Sequence, residues 1–409
     1  MLTLKAAGYV DVDAGEVIRP AVIKIEGDRI VEIGGDLPQG LDGEVVDLGD
    51  SILLPGLMDM EVNLLMGGRG ENPGLSQVQD DPPTRVLRAV GNSRRTLRAG
   101  FTTVRNLGLF VKTGGYLLDV ALGKAIDAGW IDGPRVVPAG HAITPTGGHL
   151  DPTMFAAFMP GALELTVEEG IANGVDEVRK AVRYQIKHGA QLIKVCVSGG
   201  VMSLTGEAGA QHYSDEELAA IVDEAHRRGL RVAAHTHGAE AVKHAVAVGI
   251  DCIEHGFLMD DEAIQMLVDN DRFLVTTRRL AEAMDVSKAP KALQDKAALM
   301  FPMARTSLVA AYEAGVKIAV GTDAPAIPHG RNADELVTLV DWGMPASAVL
   351  RAATVVAADL LDVTDRGRIA EGLLADVIAV PGDPLQDIRV TQNVNFVMKG
   401  GKVFRHDNA

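Results

Sequence analysis

Cysteine is almost missing from this chain. Cys196 and Cys252 are the only two in 409 residues. Neither has a Cys-x-x-Cys partner, so a cysteine-built structural zinc site is excluded. Both lie in apolar, strand-like runs, as small buried residues of a reducing compartment do, and a cytoplasmic location is expected. No stretch approaches the ~20 apolar residues of a membrane span, so no membrane partner is expected. Met1 to Val10 has no basic start followed by an apolar run, so no signal peptide is expected. A basic stripe is also missing, and the formal net charge is −16. Nucleic acid is therefore not an expected partner. No internal repeat, low-complexity segment or long linker is visible, and no Gly-x-Gly-x-x-Gly opens a helix after the first strand. The last absence argues against a dinucleotide-binding open sheet.

What is present is a change of period along the chain. Ala21-Val-Ile-Lys-Ile-Glu-Gly-Asp-Arg-Ile-Val-Glu-Ile33 reads as two strands joined at Gly27-Asp28. The C-terminal segments 375–380, 394–398 and 401–404 alternate in the same way. Two β-rich ends predict one small β-sandwich domain made of residues 1–54 and 360–409. Between them, short apolar runs alternate with helical stretches, which is the mark of βα units. The runs are Leu53–Leu64, Thr102–Leu107, Val136–Ile143, Leu192–Ser198, Val232–His237, Cys252–Phe257, Phe273–Thr277 and Lys317–Asp323. Ser214-Asp-Glu-Glu217 forms a capping box before an amphipathic run that ends near Arg228-Gly229. Eight such units over residues 55–359 predict an α/β fold, a (β/α)₈ TIM barrel. A domain of that kind takes about 250 residues, and active sites sit at the C-terminal ends of its strands.

Polar residues gather at those ends. Lys194 interrupts the fourth apolar run and is expected to point inward. A buried ammonium is costly unless paired or chemically changed. Reaction with CO₂ would turn it into an anionic carbamate ligand, whereas a buried acid would simply pair with it, and both readings stay open. The fifth run ends in His235-Thr-His237 and the sixth in Glu254-His255. One histidine is usually a hydrogen-bonded core residue, but two on successive strand ends suggest a zinc site. Asp323, after the eighth run, is a candidate ligand or proton shuttle, or else a helix N-cap.

Lys194, His235, His255 and Asp323 together resemble the amidohydrolase superfamily, in its subgroup with a carboxylated lysine. Ile52-Leu-Leu-Pro-Gly-Leu-Met-Asp59 is similar to that family's approach to strand one. Gly367-Arg-Ile-Ala-Glu-Gly-Leu-Leu-Ala-Asp-Val377 is similar to its return into the β domain, and Met398-Lys-Gly-Gly-Lys-Val403 to its closing strand. The resemblance spans nearly the whole chain. It implies a hydrolase acting on C–N bonds other than peptide bonds, and a homo-oligomer.

One departure stands out. The family ends strand one in His-x-His, and this chain has Glu61-Val62-Asn63 there. Those histidines normally hold one metal of a pair. The departure predicts a single divalent ion on carboxylated Lys194, His235 and His255, with Asp323 as base or fourth ligand. Zinc is the expected ion, with cobalt, manganese and iron as alternatives. In this respect the chain resembles the molinate and phenylurea hydrolases. Asn63 is expected to donate a hydrogen bond to the carbamate. Glu61 would orient water, bind a proton or replace a ligand, and a Glu61/Asn63 pair holding a second, harder ion is the alternative.

Secondary candidates follow. His149, in Gly147-Gly148-His149, resembles a histidine that polarises the substrate carbonyl in dipeptidase-like relatives, and His141 competes for that role. His237 would contact substrate or cap the next helix. Arg278 and Arg279 would meet an anionic substrate group or form surface salt bridges. The chemistry expected is hydrolysis of an amide, carbamate, thiocarbamate or urea of a small molecule. A dipeptidase or N-acyl-amino-acid hydrolase is the alternative within enzymes. A catalytically degenerate ligand-binding barrel and a redox or decarboxylase site with iron or manganese are the alternatives outside that class.

Overall fold

Each expected apolar run contains a strand in the computed structural model, which describes residues 1–34, 43–67, 73–151, 159–203 and 206–407. We number the barrel strands β1 (Leu57–Val62), β2 (Phe101–Asn106), β3 (Arg135–Pro138), β4 (Ile193–Cys196), β5 (Val232–Gly238), β6 (Cys252–Leu258), β7 (Phe273–Val275) and β8 (Lys317–Ala319). All are parallel to their neighbours. β1, β2 and β3 pair in sequence, and so do β4 to β8.

Two sets of backbone bonds close the ring. Gln191 donates to the Pro138 carbonyl, Ile143 N–H donates to Lys194 O at 2.8 Å and Cys196 N–H donates to Ile143 O at 2.9 Å, which joins β3 to β4. Met60 N–H to Val320 O (2.8 Å) and Asp323 N–H to Glu61 O (2.7 Å) join β8 to β1. Eight parallel strands thus form a barrel. Helices such as Pro82–Arg98, Gly174–His188, Asp215–His226 and Lys291–Glu313 return the chain between them.

The helix starts are specified locally. Asp81 accepts the Thr84 N–H, and Ser214 and Glu217 form the expected capping box. Ile221, Val222 and Ala225 of that helix are buried, the core face that its period implies.

The run Leu53–Leu64 is two strands rather than one. Ile52–Pro55 belongs to a six-stranded sheet with the C-terminal strands Val377–Val380, Phe396–Lys399 and Lys402–His406. The chain then breaks at Gly56 and enters β1. A Cβ at Gly56 would stand 2.2 Å from the Thr102 hydroxyl, so the crossing from sheet to barrel needs a glycine. The second sheet contains the expected hairpin, Ala21–Glu26 against Arg29–Gly34, with Gly27 at φ 59° in its turn. Leu4, Ile23, Ile25, Leu53, Val377 and Phe396 fill the space between these two sheets, which form a small β-sandwich from both ends of the chain. Among the described residues, no helix is long and apolar enough to cross a membrane.

Candidate metal centre

The parallel barrel brings the ends of β1, β4, β5, β6 and β8 around one cavity of about 240 Å³. Its floor carries Glu61, Lys194, His235, His237, His255 and Asp323, and its wall is apolar, with Val201, Met202, Phe257, Leu280 and Met284.

His235, His237 and His255 are buried, and each offers a ring nitrogen within 4.8 Å of the others. The His235 ring stacks on His149 at 3.7 Å and meets His255 edge-on at 4.6 Å. Its Nε2 has no hydrogen-bond partner, and neither has Nδ1 of His237. Burial, with neighbouring histidines and Lys194 adding to it, holds His235 and His255 well below the usual imidazole range. Burial and the Arg278 charge bring His237 down to about 3. All three are therefore neutral at pH 7, the form that ligates metal. Nδ1 of His255 bonds the Thr277 hydroxyl at 2.7 Å, which leaves Nε2 turned toward Glu61 at 3.5 Å.

Lys194 is buried as expected, and its Nζ lies 3.1 Å from Oε1 of Glu61. The pairing with a buried acid is thus what the free lysine adopts. Burial works against the ammonium, and the Glu61 and Glu254 charges more than offset it, so its pKa rises. Burial pushes Glu61 well up, with Lys194 opposing, and Oε2 of Glu61 has no partner. Asp323 is half-buried and sits at φ 53°. It does not cap a helix, since the next one begins at Ala333 with Asn332 before it. Burial raises its carboxyl to about 7.

Other expectations shift. Asn63 gives its side-chain N–H to the Gly108 carbonyl at 3.0 Å, and its Oδ1 is the unpartnered atom. It therefore has a free acceptor, while the second N–H of the same amide is compatible with the expected donor role. His149 is buried and lines the cavity. His141 is bonded to Thr113 at 2.9 Å and does not line the cavity. Arg279 pairs with Glu282, the surface role foreseen for it, whereas Arg278 is fully buried behind Phe257. Sequence reasoning missed Thr277, Ser203 and Gly200. Thr277 ends the seventh apolar run, a position that could have marked it.

The sequence model of the amidohydrolase family matches residues 52–404. The chain belongs to the amidohydrolase family. This amidohydrolase is 34 % identical to the ochratoxinase of Aspergillus niger over 99 % of its own length and 87 % of the relative's. A solved Xaa-Pro dipeptidase with methionine bound in its active site is 36 % identical, with a TM-score of 0.91 over 99 % of both chains. Molinate hydrolase, 22 % identical, shares the fold at a TM-score of 0.80 over 98 % of this chain and 94 % of that one.

Membership implies a divalent metal, and the residues of this amidohydrolase fit one. The test is the orphaned Nε2 of His235. A buried ring nitrogen without a partner is rare in a finished structure, and here it lies among other neutral imidazole donors. A Cβ at Gly200 would come within 2.8 Å of that atom, so the loop itself is pared back to leave room beside it.

Proposed function

We propose that this chain uses one divalent metal to activate water for hydrolysis of an amide bond in a small molecule. That it is a metal-dependent hydrolase of C–N bonds follows from its family. The observation that carries the finer reading is the cluster of neutral histidines on β5 and β6, with Nε2 of His235 unpartnered at the cavity.

His235 and His255 would hold the ion together with Lys194 as its carbamate, and zinc is the ion this set suits best. When bound, the ion polarises the carbonyl and lowers the pKa of water toward ~7. Asp323 takes the proton of the attacking water and returns it to the leaving nitrogen. Thr277 holds the His255 ring in place. Ser203 Oγ accepts the Gly200 N–H at 3.2 Å and lies 2.8 Å from Nδ1 of His149. With the Ser203 hydroxyl donating to Nδ1, His149 would carry its proton on Nε2 and donate it to the developing oxyanion. His237 contacts the substrate beside the ion, and Asn63 presents Oδ1 to it. Glu61 is the counter-charge of Lys194 before carboxylation and afterwards orients water. The apolar wall excludes bulk water from these exchanges.

A division into a β unit of residues 1–54 and 360–409 and a barrel of residues 55–359 belongs to the same reading. So do a cytoplasmic location and a homo-oligomeric state. The Xaa-Pro dipeptidase with bound methionine favours, as the substrate class, amides that release a free amino acid.

The test is elemental analysis of protein purified without chelator, followed by a panel of amides, carbamates, ureas, N-acyl amino acids and dipeptides. About one metal per chain, lost in Lys194→Ala together with hydrolysis, is the expected result. Two metals per chain would overturn the single-ion mechanism. Metal-loaded protein that cleaves nothing in the panel would overturn the hydrolase reading of this site.

A further inference from the structure

Arg278 has no role in the chemistry above, yet it is a buried charge whose surroundings call for an explanation. Its side chain is 0 % exposed. Among the described residues none of its Nε, Nη1 and Nη2 has a hydrogen-bond partner. A guanidinium carries five donors in a rigid fork, and native proteins rarely bury even one such donor unpaired. The Glu335 carboxylate supports its charge from nearby but makes no hydrogen bond to the guanidinium. Its two oxygens accept the backbone N–H groups of Arg278 and Arg279, at 2.7 and 2.6 Å.

The place of this cation is informative. Arg278 directly follows Thr277, the residue that bonds the His255 ring. Its guanidinium carbon stands 4.8 Å from the centre of the Phe257 ring, and Phe257 lines the cavity. Leu280 and Met284, in the segment that follows Arg278, line the same wall. Its charge also reaches His237 and His255, where it opposes protonation. A fork with no hydrogen-bond partner among the described residues thus lies behind the Phe257 ring, beside the hydrolytic centre. Arginine forks match carboxylates bidentately.

We infer that Arg278 is the specificity-determining residue that receives the carboxylate of the substrate, with the Phe257 ring giving way as the carboxylate binds. The amides selected are therefore N-acyl amino acids or dipeptides with a free carboxylate on the amine-side fragment. This rests on the hydrolase reading of the site, which it deepens by naming how the substrate is chosen.

The experiment is calorimetric titration of the metal-loaded protein with L-methionine and with L-methioninamide, in wild type, Arg278→Gln and Arg278→Lys. The expected result is binding of L-methionine at least about tenfold tighter than of its amide in wild type. Arg278→Gln loses that preference with the affinity for the amide unchanged, and Arg278→Lys retains part of it. Equal binding of the two probes by wild type overturns the inference, and this comparison does not depend on any variant folding. A preference that survives in Arg278→Gln overturns it as well. Hydrolysis of neutral amides without any binding of L-methionine sinks Arg278 as receptor but leaves the hydrolase standing. A preference abolished in Arg278→Gln, in a protein that cleaves nothing, sinks the hydrolase reading and leaves the anion receptor.

Discussion

The Thr277 hydroxyl lies 2.7 Å from Nδ1 of His255, and both residues occupy the left-handed region, at φ 62° and 71°. Non-glycine residues there cost of order 1–3 kcal/mol each. The strain is spent on aiming one imidazole, because the partner of Nδ1 decides where Nε2 points. Thr277→Val keeps the β-branched shape and loses only the oxygen. It should weaken metal affinity by about 10–100-fold, the usual cost of removing a ligand's hydrogen-bonding support. Thr277→Ser should bind as wild type does. Competition with a chromophoric chelator reads both, and equal affinity in the valine variant would refute the role.

Gly200 is not in a left-handed conformation, so a methyl group there meets no backbone objection. It would instead lie 2.8 Å from Nε2 of His235 and 2.9 Å from Cε1 of His149. Gly200→Ala should leave urea unfolding within about 1 kcal/mol of wild type while metal retention and turnover fall together. Unchanged metal content and turnover would show that the two rings move aside freely.

Beneath the site, Arg105 donates to Glu254 at 2.7 Å, to the Met60 carbonyl at 2.7 Å and to Cys252 at 3.1 Å, all in the barrel interior. Removing one charge strands the other. Glu254→Leu should destabilise by about 3–5 kcal/mol, whereas Arg105→Met with Glu254→Leu should recover most of that loss. Denaturant midpoints give both values. Additive losses in the double variant would mean that the pair is not the source of the cost.

Burial raises the Asp119 carboxyl to about 6, against the bonds it accepts from Gly140 and Val120. Between pH ~4 and 6 the folded chain therefore keeps a proton that the unfolded chain has released. Its contribution to stability is complete below pH ~4, is lost as pH rises to about 6, and is flat above that. The shift corresponds to about 3 kcal/mol. Asp119→Asn should remove this slope from the curve of stability against pH. A slope identical to wild type over that window would place the titration elsewhere.

The sequence by itself determined the alternation of strands and helices, the capping box at Ser214, the hairpin at Gly27 and the strand ends that carry Lys194, His235, His255 and Asp323. These are local matters of period, turn chemistry and burial, and each is written in a few adjacent residues. It could not show that Leu53–Leu64 serves two sheets, because an apolar run looks the same whichever sheet it joins and only the approach of Thr102 forces the break at Gly56. Nor could it place His149 against His235, 86 positions away in the chain but 3.7 Å in space. That Gly108 takes one amide hydrogen of Asn63 is likewise set only by the pairing of β1 with β2. Arg278 and Arg279 are adjacent and chemically alike, yet Arg279 faces Glu282 at the surface and Arg278 lies behind Phe257 with no hydrogen-bond partner for its guanidinium among the described residues. Which arginine is buried depends on how the segment after β7 packs against the barrel, and that is a property of the closed fold alone.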